Sequence, residues 1–368
     1  MNLKSLNGKL LVVVKVGSSF LTSKHNQINK YKLQRIVSQI CRLKKSNINV
    51  VLVSSGAVVS GMHLSGYSLR PKNIIDLQAI AAIGQSELMH NYSLLFRKEK
   101  IITAQILLTP EVLHNRQRYL NARNTILNLL KKNIIPIVNE NDTVATDELK
   151  FGDNDQLSAL VSVLIDAKLL IILSDVEGVY GLEGKIIKKI DEIDENISGL
   201  DKGSGKQTTV GGMTAKFAAA KIAVNAGIAV VIANGSKSDI LLKLIESDQA
   251  GTWFMPKKNK ISGKKRWIAF SCRSRGKIFI DHGAQLAIIQ KGKSLLSSGI
   301  SSIDGNFSQG DLVVICGEQG NQIAKGLVNY SALELEKIKG VKTSKIEHIL
   351  GYKFYDEVIH RDNLVVLE

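Results

Sequence analysis

The chain has little cysteine, proline and histidine: 3, 4 and 7 residues of 368. Cys41, Cys272 and Cys316 are odd in number and far apart, which argues against a disulfide framework. The histidines are scattered at no metal-ligand spacing, so a structural zinc site is not supported. Long hydrophobic runs are also missing. The longest, such as Leu169 to Leu173, fall far short of a membrane span, so no membrane partner is expected. Met1 to Leu10 runs into a strand without a signal-peptide core and cleavage site, so a cytoplasmic protein is expected.

What is present suits a globular protein of two or three domains. Hydrophobic residues make up 44% of the chain, enough for real cores. Lys and Arg outnumber Asp and Glu by 49 to 33, a net charge of +16. That balance fits anionic small molecules and is weak evidence for RNA, because lysines also fill solvated positions.

Apolar runs alternate with helical patterns through about residue 250. Lys9–Val16, Asn49–Ser54, Ile101–Leu108, Ile134–Val138, Lys168–Leu173 and Ile228–Ala233 read as strands. Tyr31–Lys45, Ile74–Lys98, Tyr119–Lys132, Leu157–Ile165 and Phe217–Ala226 read as helices. This alternation predicts a three-layer αβα sandwich with a mainly parallel central sheet. Val176–Ile190, with Gly178, Gly181 and Gly184, reads as a hairpin. Pro256–Arg266 is basic, turn-rich and nearly without apolar residues. Beyond it, short β-prone runs lie at Lys277–Ile280, Leu312–Cys316 and Asn363–Leu367. The expected organisation is an α/β unit over residues 1–255, a basic linker over 256–266 and a small, mostly β unit over 267–368.

One stretch stands out: Asn139 to Ala159, N-E-N-D-T-V-A-T-D-E-L-K-F-G-D-N-D-Q-L-S-A. It joins a predicted strand to a predicted helix and carries two N-D clusters. Its charges exclude it from the core unless they are paired. Open α/β sheets bind ligands at such carboxyl ends of strands. Other predicted strand ends and helix starts supply Lys15 beside Gly17-Ser18-Ser19, then Ser55, Ser174-Asp175, and Gly211-Gly212 ahead of Lys216. The turn at Ser54-Ser55-Gly56-Ala57 has neither the G-x-x-x-x-G-K-[ST] nor the G-x-G-x-x-G spacing. Two lysines, glycine-bearing helix starts and strand-end carboxylates suit phosphoryl transfer, where positioning and cationic stabilisation do most of the work. A carboxylate acceptor needs no deprotonation at neutral pH, so no catalytic histidine is required.

These residues resemble the glutamate 5-kinases of the amino-acid kinase family. The matching stretches are V-V-K-V-G-S-S (13–19), S-S-G-A-V (54–58), A-A-I-G-Q-S (81–86), L-N-A-R-N-T (120–125), I-V-N-E-N-D-T-V-A-T (137–146), F-G-D-N-D-Q-L-S-A (151–159) and G-G-M-T-A-K (211–216). G-N-F-S-Q-G-D (305–311), I-L-G-Y (349–352) and V-I-H-R-D-N-L-V (358–365) are similar to PUA domains attached to such enzymes. The resemblance implies ATP-dependent, Mg²⁺-assisted phosphorylation of the 5-carboxylate of L-glutamate, the first step of proline biosynthesis. It implies that Lys15 and Lys216 stabilise the transferring group and Asp155 organises them. Ser55, Asp142 and Asn154 would bind glutamate. Lys15, Ser174, Asp175, Val210, Gly211, Gly212, Met213, Thr214, Ala215 and Lys216 would bind ATP, with Mg²⁺ carried by its phosphates. It further implies proline as feedback inhibitor, a homo-oligomer (dimer or tetramer) and coupling to glutamyl-phosphate reductase.

Two departures stand against the pattern. Thr209-Val210 replaces the usual Gly-Thr before Gly-Gly-Met, and Gly181-Leu182-Glu183-Gly184 is shorter than the family's segment there. Two alternatives compete. One is a related kinase acting on aspartate, N-acetylglutamate or a nucleotide. The other is RNA binding through the PUA-like unit and the basic linker, which predicts salt-sensitive retention on RNA.

Overall fold

The computed structural model describes residues 10–22, 27–109, 112–113, 115–144, 154–181, 183–193, 212–247, 249–256, 263–270 and 274–367. The chain divides into two compact units, Met1–Lys260 and Ile261–Glu368.

Strands β1 (Leu11–Val16), β2 (Asn49–Ser54), β4 (Ile135–Glu140), β5 (Leu169–Ser174) and β7 (Ala229–Asn234) are six-residue runs, mostly Val, Ile, Leu and Ala, and largely buried. Such runs have no polar face to give to water, so they suit a parallel sheet covered on both sides. With β3 (Thr103–Leu108), β6 (Lys189–Ile190) and β8 (Thr252–Phe254) they form one eight-stranded sheet, ordered β3-β4-β2-β1-β5-β7-β8-β6. The pairings are parallel except β7 with β8. The predicted, mainly parallel sheet is therefore correct, except that β8 and the edge strand β6 beside it run opposite to the other six, and at three and two residues both were too short to announce themselves.

From β1 the chain passes to β2 on one side of the sheet, and it later returns to β5 on the other. The order of connection thus reverses at β1, and the carboxyl ends of β1 and β5 open the crevice where ligands of such sheets bind. Eight helices of this unit are described: α1 (Ser18–Leu21), α2 (Lys30–Lys45), α3 (Ala57–Leu64), α4 (Ile74–Lys98), α5 (Arg116–Lys131), α6 (Asn154–Ile165), α7 (Gly212–Asn225) and α8 (Ile240–Glu246). Asn29, Asn73 and Asn115 cap α2, α4 and α5 by accepting from backbone N–H groups, as short polar side chains do at helix starts. Helix α6 is buried along all but Gln156, which explains its Leu, Val, Ala and Ser composition. Helices α3 and α4 cross so closely that a Cβ on Gly84 would stand 1.8 Å from the Ala57 carbonyl oxygen. The predicted hairpin after β5 is present as a Tyr180–Ile186 bridge.

The second unit holds a five-stranded sheet, ordered β10-β9-β11-β12-β13. Its strands are β9 (Gly276–Ile280), β10 (Ile300–Gly305), β11 (Leu312–Cys316), β12 (Gln322–Leu327) and β13 (Leu364–Val366). Helices α9 (Gly263–Phe270), α10 (His282–Lys291), α11 (Ala332–Ile338) and α12 (Ile346–Leu350) accompany it. Its core gathers Ile278, Ile280, Phe307, Val313, Ile315 and Leu335.

Three expectations need correction. The basic stretch 256–266 is not turn-like throughout, because its last four residues open α9. Trp267, Ile268 and Ala269 are buried there, and burying them requires the helix to begin earlier. The helix predicted from Phe217 already runs from Gly212 as α7, so Lys216 lies within it. The acidic stretch does not leave the core at once: Asn139 and Glu140 belong to β4 and are buried.

Candidate active site

Lys15 sits in β1 between Val53 of β2 and Ile172 of β5, one residue from the strand end. A lysine in a two-sided apolar strand needs an anion. It finds Asp155, whose Oδ1 pairs with Lys15 Nζ. Asp155 lies in the first turn of α6, which directs its carboxylate back over the sheet's carboxyl edge. The other oxygen, Oδ2, accepts from Lys216 Nζ at 3.1 Å. Lys216 also donates to the Gly212 carbonyl at 2.9 Å, one turn back in α7. Lys15 is 6% exposed and Asp155 2%, so the three charges meet almost out of water. Burial alone would push the Asp155 carboxyl up. The two lysine charges outweigh that and hold it below the ordinary carboxylate value.

A neutral network lies beside this triad. Asn154 Nδ2 donates to Ser55 Oγ at 2.8 Å, to Asn139 Oδ1 at 2.8 Å and to the Ser54 carbonyl at 3.2 Å. These groups come from the ends of β2 and β4 and the start of α6. Asn139 Nδ2 donates to Gln85 Oε1 of α4 at 2.7 Å. Ser54 Oγ and the Tyr92 hydroxyl are 2.8 Å apart. All of these side chains are buried. Asp142 follows β4 in a turn and is half-buried. No hydrogen bond joins it to Ser55 or Asn154 among the described residues. Burial pushes its carboxyl up to about 6, against the lowering charge of Arg70.

Ser174 ends β5, and its hydroxyl donates to Asp175 Oδ1 at 3.0 Å. Asn234, at the end of β7, donates to the Asp175 carbonyl at 3.3 Å and to Glu177 Oε1 at 3.1 Å. Gly212, Met213, Thr214 and Ala215 form the start of α7. Val210 and Gly211 lie outside the described residues, as do Thr209 and the 145–153 part of the acidic stretch.

The structure thus joins Lys15, Asp155 and Lys216 in one cluster and Ser55 with Asn154 in another. Sequence reasoning missed Gln85 and Tyr92. Their signal was a polar atom on the buried stripe of α4 that also carries Leu77, Ala81 and Leu88. Among the described residues no helix is long and apolar enough to cross a membrane.

Residues 10–234 match the amino acid kinase family, and residues 276–350 match the PUA domain. A glutamate 5-kinase of Caldanaerobacter subterraneus subsp. tengcongensis is 47% identical over 97% of this chain and 98% of its own length. One from a Thermoanaerobacter species is 46% identical with the same coverage. One from Carboxydothermus hydrogenoformans is 44% identical over 97% of each chain. The chain therefore belongs to the amino acid kinase family, among its glutamate 5-kinases, with a PUA domain following the kinase unit.

Proposed function

We propose that this chain transfers the γ-phosphoryl group of ATP to the 5-carboxylate of L-glutamate, giving ADP and L-glutamyl 5-phosphate for proline biosynthesis. The observation that carries this reading is the buried Lys15–Asp155–Lys216 cluster at the carboxyl edge of the sheet. Among the described ion pairs, two ammonium groups meet one carboxylate, which leaves one positive charge in surplus. A buried surplus charge is costly without a counter-ion, and a triphosphate supplies one.

Lys15 and Lys216 then face the transferring phosphoryl group, where positive charge stabilises negative charge on its equatorial oxygens. Asp155 holds both lysines and is not needed as a base. A glutamate 5-carboxylate oxygen forms the new bond to phosphorus while the bond to the ADP oxygen breaks. Mg²⁺ carried on the triphosphate would neutralise further phosphate charge. Ser55, Asn154 and Asp142 bind glutamate: Asp142 and the Asn154 carbonyl suit the ammonium, and the Ser55 hydroxyl suits a carboxylate. Ser174, Asp175 and the segment Val210 to Lys216 bind ATP.

The reading extends to three further properties. Proline also pairs an ammonium, here a secondary one, with an α-carboxylate and would compete for the glutamate site. The enzyme works in the cytoplasm as a homo-oligomer, a dimer or tetramer. Its acyl phosphate is hydrolytically labile, which favours direct use by glutamyl-phosphate reductase.

The test is hydroxylamine trapping with ATP and Mg²⁺, offering glutamate, aspartate and N-acetylglutamate in parallel. Hydroxamate from glutamate alone is expected. Product from another acid only would move the substrate assignment, and none from any acid would reject the reading. Adding proline to the same assay reads inhibition directly.

A further inference from the structure

Gln85 carries, with the Tyr92 hydroxyl, the polar side-chain atoms of an otherwise apolar buried stripe on α4. The close crossing at Gly84 seats it against the strand-end network. Its Oε1 accepts from Asn139 Nδ2. A primary amide has a donor end and an acceptor end, so this bond has a consequence further along. With its nitrogen committed to Gln85, Asn139 turns its oxygen toward Asn154, where Oδ1 accepts at 2.8 Å. The Glu140 backbone N–H donates to the same oxygen at 2.9 Å and holds it there. Asn154 must then turn its nitrogen toward the end of β2, where Ser55 Oγ and the Ser54 carbonyl share it. The Asn154 oxygen is left buried, with no hydrogen-bond partner among the described residues. A buried acceptor without a donor is unfavourable, and the donor class a zwitterionic amino acid brings is its ammonium.

We infer that Gln85 is a positioning residue that, through Asn139, sets which end of the Asn154 amide faces the substrate ammonium. The assignment rests on the proposed glutamate reading. If Gln85 no longer holds Asn139, the Glu140 N–H alone fixes the Asn139 amide, both asparagine amides turn over more readily, and a turned Asn154 offers N–H groups to the cationic end of the substrate. The loss falls on the ammonium and spares the carboxylates and the nucleotide.

The experiment compares L-glutamate with glutarate, which has both carboxylates and no ammonium. The readout is the ratio of the glutamate KM to the glutarate Ki, with the ATP KM measured alongside. Gln85→Met removes the acceptor at nearly constant volume. It is expected to raise the ratio about tenfold and leave the ATP KM within about twofold, the size of one lost buried hydrogen-bond partner. Gln85→Glu keeps an oxygen for Asn139, and its added charge favours the ammonium-bearing glutamate over glutarate, so the ratio should stay at or fall below the parent value. An unchanged ratio in folded Gln85→Met would overturn the assignment. If that variant does not fold, Gln85→Glu decides: a ratio at or below the parent value supports the assignment, and a ratio raised about tenfold rejects it. A parent enzyme that makes no product from glutamate would instead sink the underlying reading.

Discussion

Lys216 and Asp155 are 61 positions apart in sequence and meet with 3.1 Å between Nζ and Oδ2. Asp155 also holds Lys15, so one carboxylate sets the position of two cations drawn from β1 and α7. Both lysines depend on this residue for orientation, and the first predictions concern what each member does alone.

Lys216→Ala should fold and lose turnover. Its Nζ is held only by Asp155 and the Gly212 carbonyl among the bonds described, and Lys15 remains to neutralise Asp155. Removing one preorganised charge-stabilising group typically costs about 10²–10³ in kcat. Steady-state kinetics with a circular-dichroism melt checks this. Parent-like turnover in a folded variant would reject the role given to Lys216.

Asp155→Asn leaves two buried ammonium groups without their carboxylate. Breaking a buried pair in this way costs about 3–5 kcal/mol, so the melting temperature should fall clearly, and turnover should fall with it. An added nucleotide supplies the missing negative charge, so it should stabilise the variant more than the parent. The gap between the two proteins also has a pH signature. The folded Asp155 carboxyl is held below its ordinary value of 3.8. Its contribution is therefore fully present above that value and lost only as pH falls through the lower folded value. Melts at stepped acid pH, with and without an ATP analogue, test both statements.

Gly84→Ala should destabilise the kinase unit by forcing α3 and α4 apart. The added Cβ would stand 1.8 Å from the Ala57 oxygen and 2.2 Å from the Gly61 nitrogen, both backbone atoms that cannot swing aside. Overpacking of this kind costs about 1–3 kcal/mol, and the helices would separate to accommodate it. A lowered melting temperature is expected, and an unchanged one would show that the crossing is looser than described.

Most of the sheet was legible because its strands are uninterrupted apolar runs, and the period of burial is written in them. Asn49–Ser54 and Ile74–Lys98 have the predicted bounds, since Asn73 marks the helix start and the polar Asn49 and Ser54 mark the two ends of the strand. β8 and β10 were not legible. Thr252–Phe254 is three residues long, and Ile300–Gly305 carries Ser and Asp on an edge, so neither shows a period. Within the site, Lys15 betrayed itself as a charge in an apolar run, Asp155 as part of the acidic, amide-rich stretch, and Lys216 by the Gly211-Gly212 pair ahead of it. Gln85 and Tyr92 did not, because a single polar atom on a buried helical stripe looks like a tolerated exception until its partner is seen. Asn139 was visible but misplaced, since a loop and a strand end look alike where apolar residues give way to amides.

The pH dependence of glutamate use should be set by Asp142, and two consequences of its raised carboxyl run in opposite directions. Folding moves this group from 3.8 to about 6 because burial disfavours its charged form more than Arg70 favours it. Its contribution to stability is therefore present below 3.8 and lost as pH rises through about 6. Binding an ammonium needs the ionised form. Glutamate kcat/KM should therefore rise with pH, by about tenfold per unit below the transition, and level off above about 6. Asp142→Asn should remove that dependence, lower kcat/KM at neutral pH and leave the ATP KM in place. Its melting temperature should match or exceed the parent's at pH 8, where the parent carries a buried charge and the amide does not. Profiles of kcat/KM for both substrates between pH 5 and 8, with melts at each end, separate the two effects. A glutamate profile equally steep in Asp142→Asn would assign the titration to another group and remove Asp142 from the ammonium site.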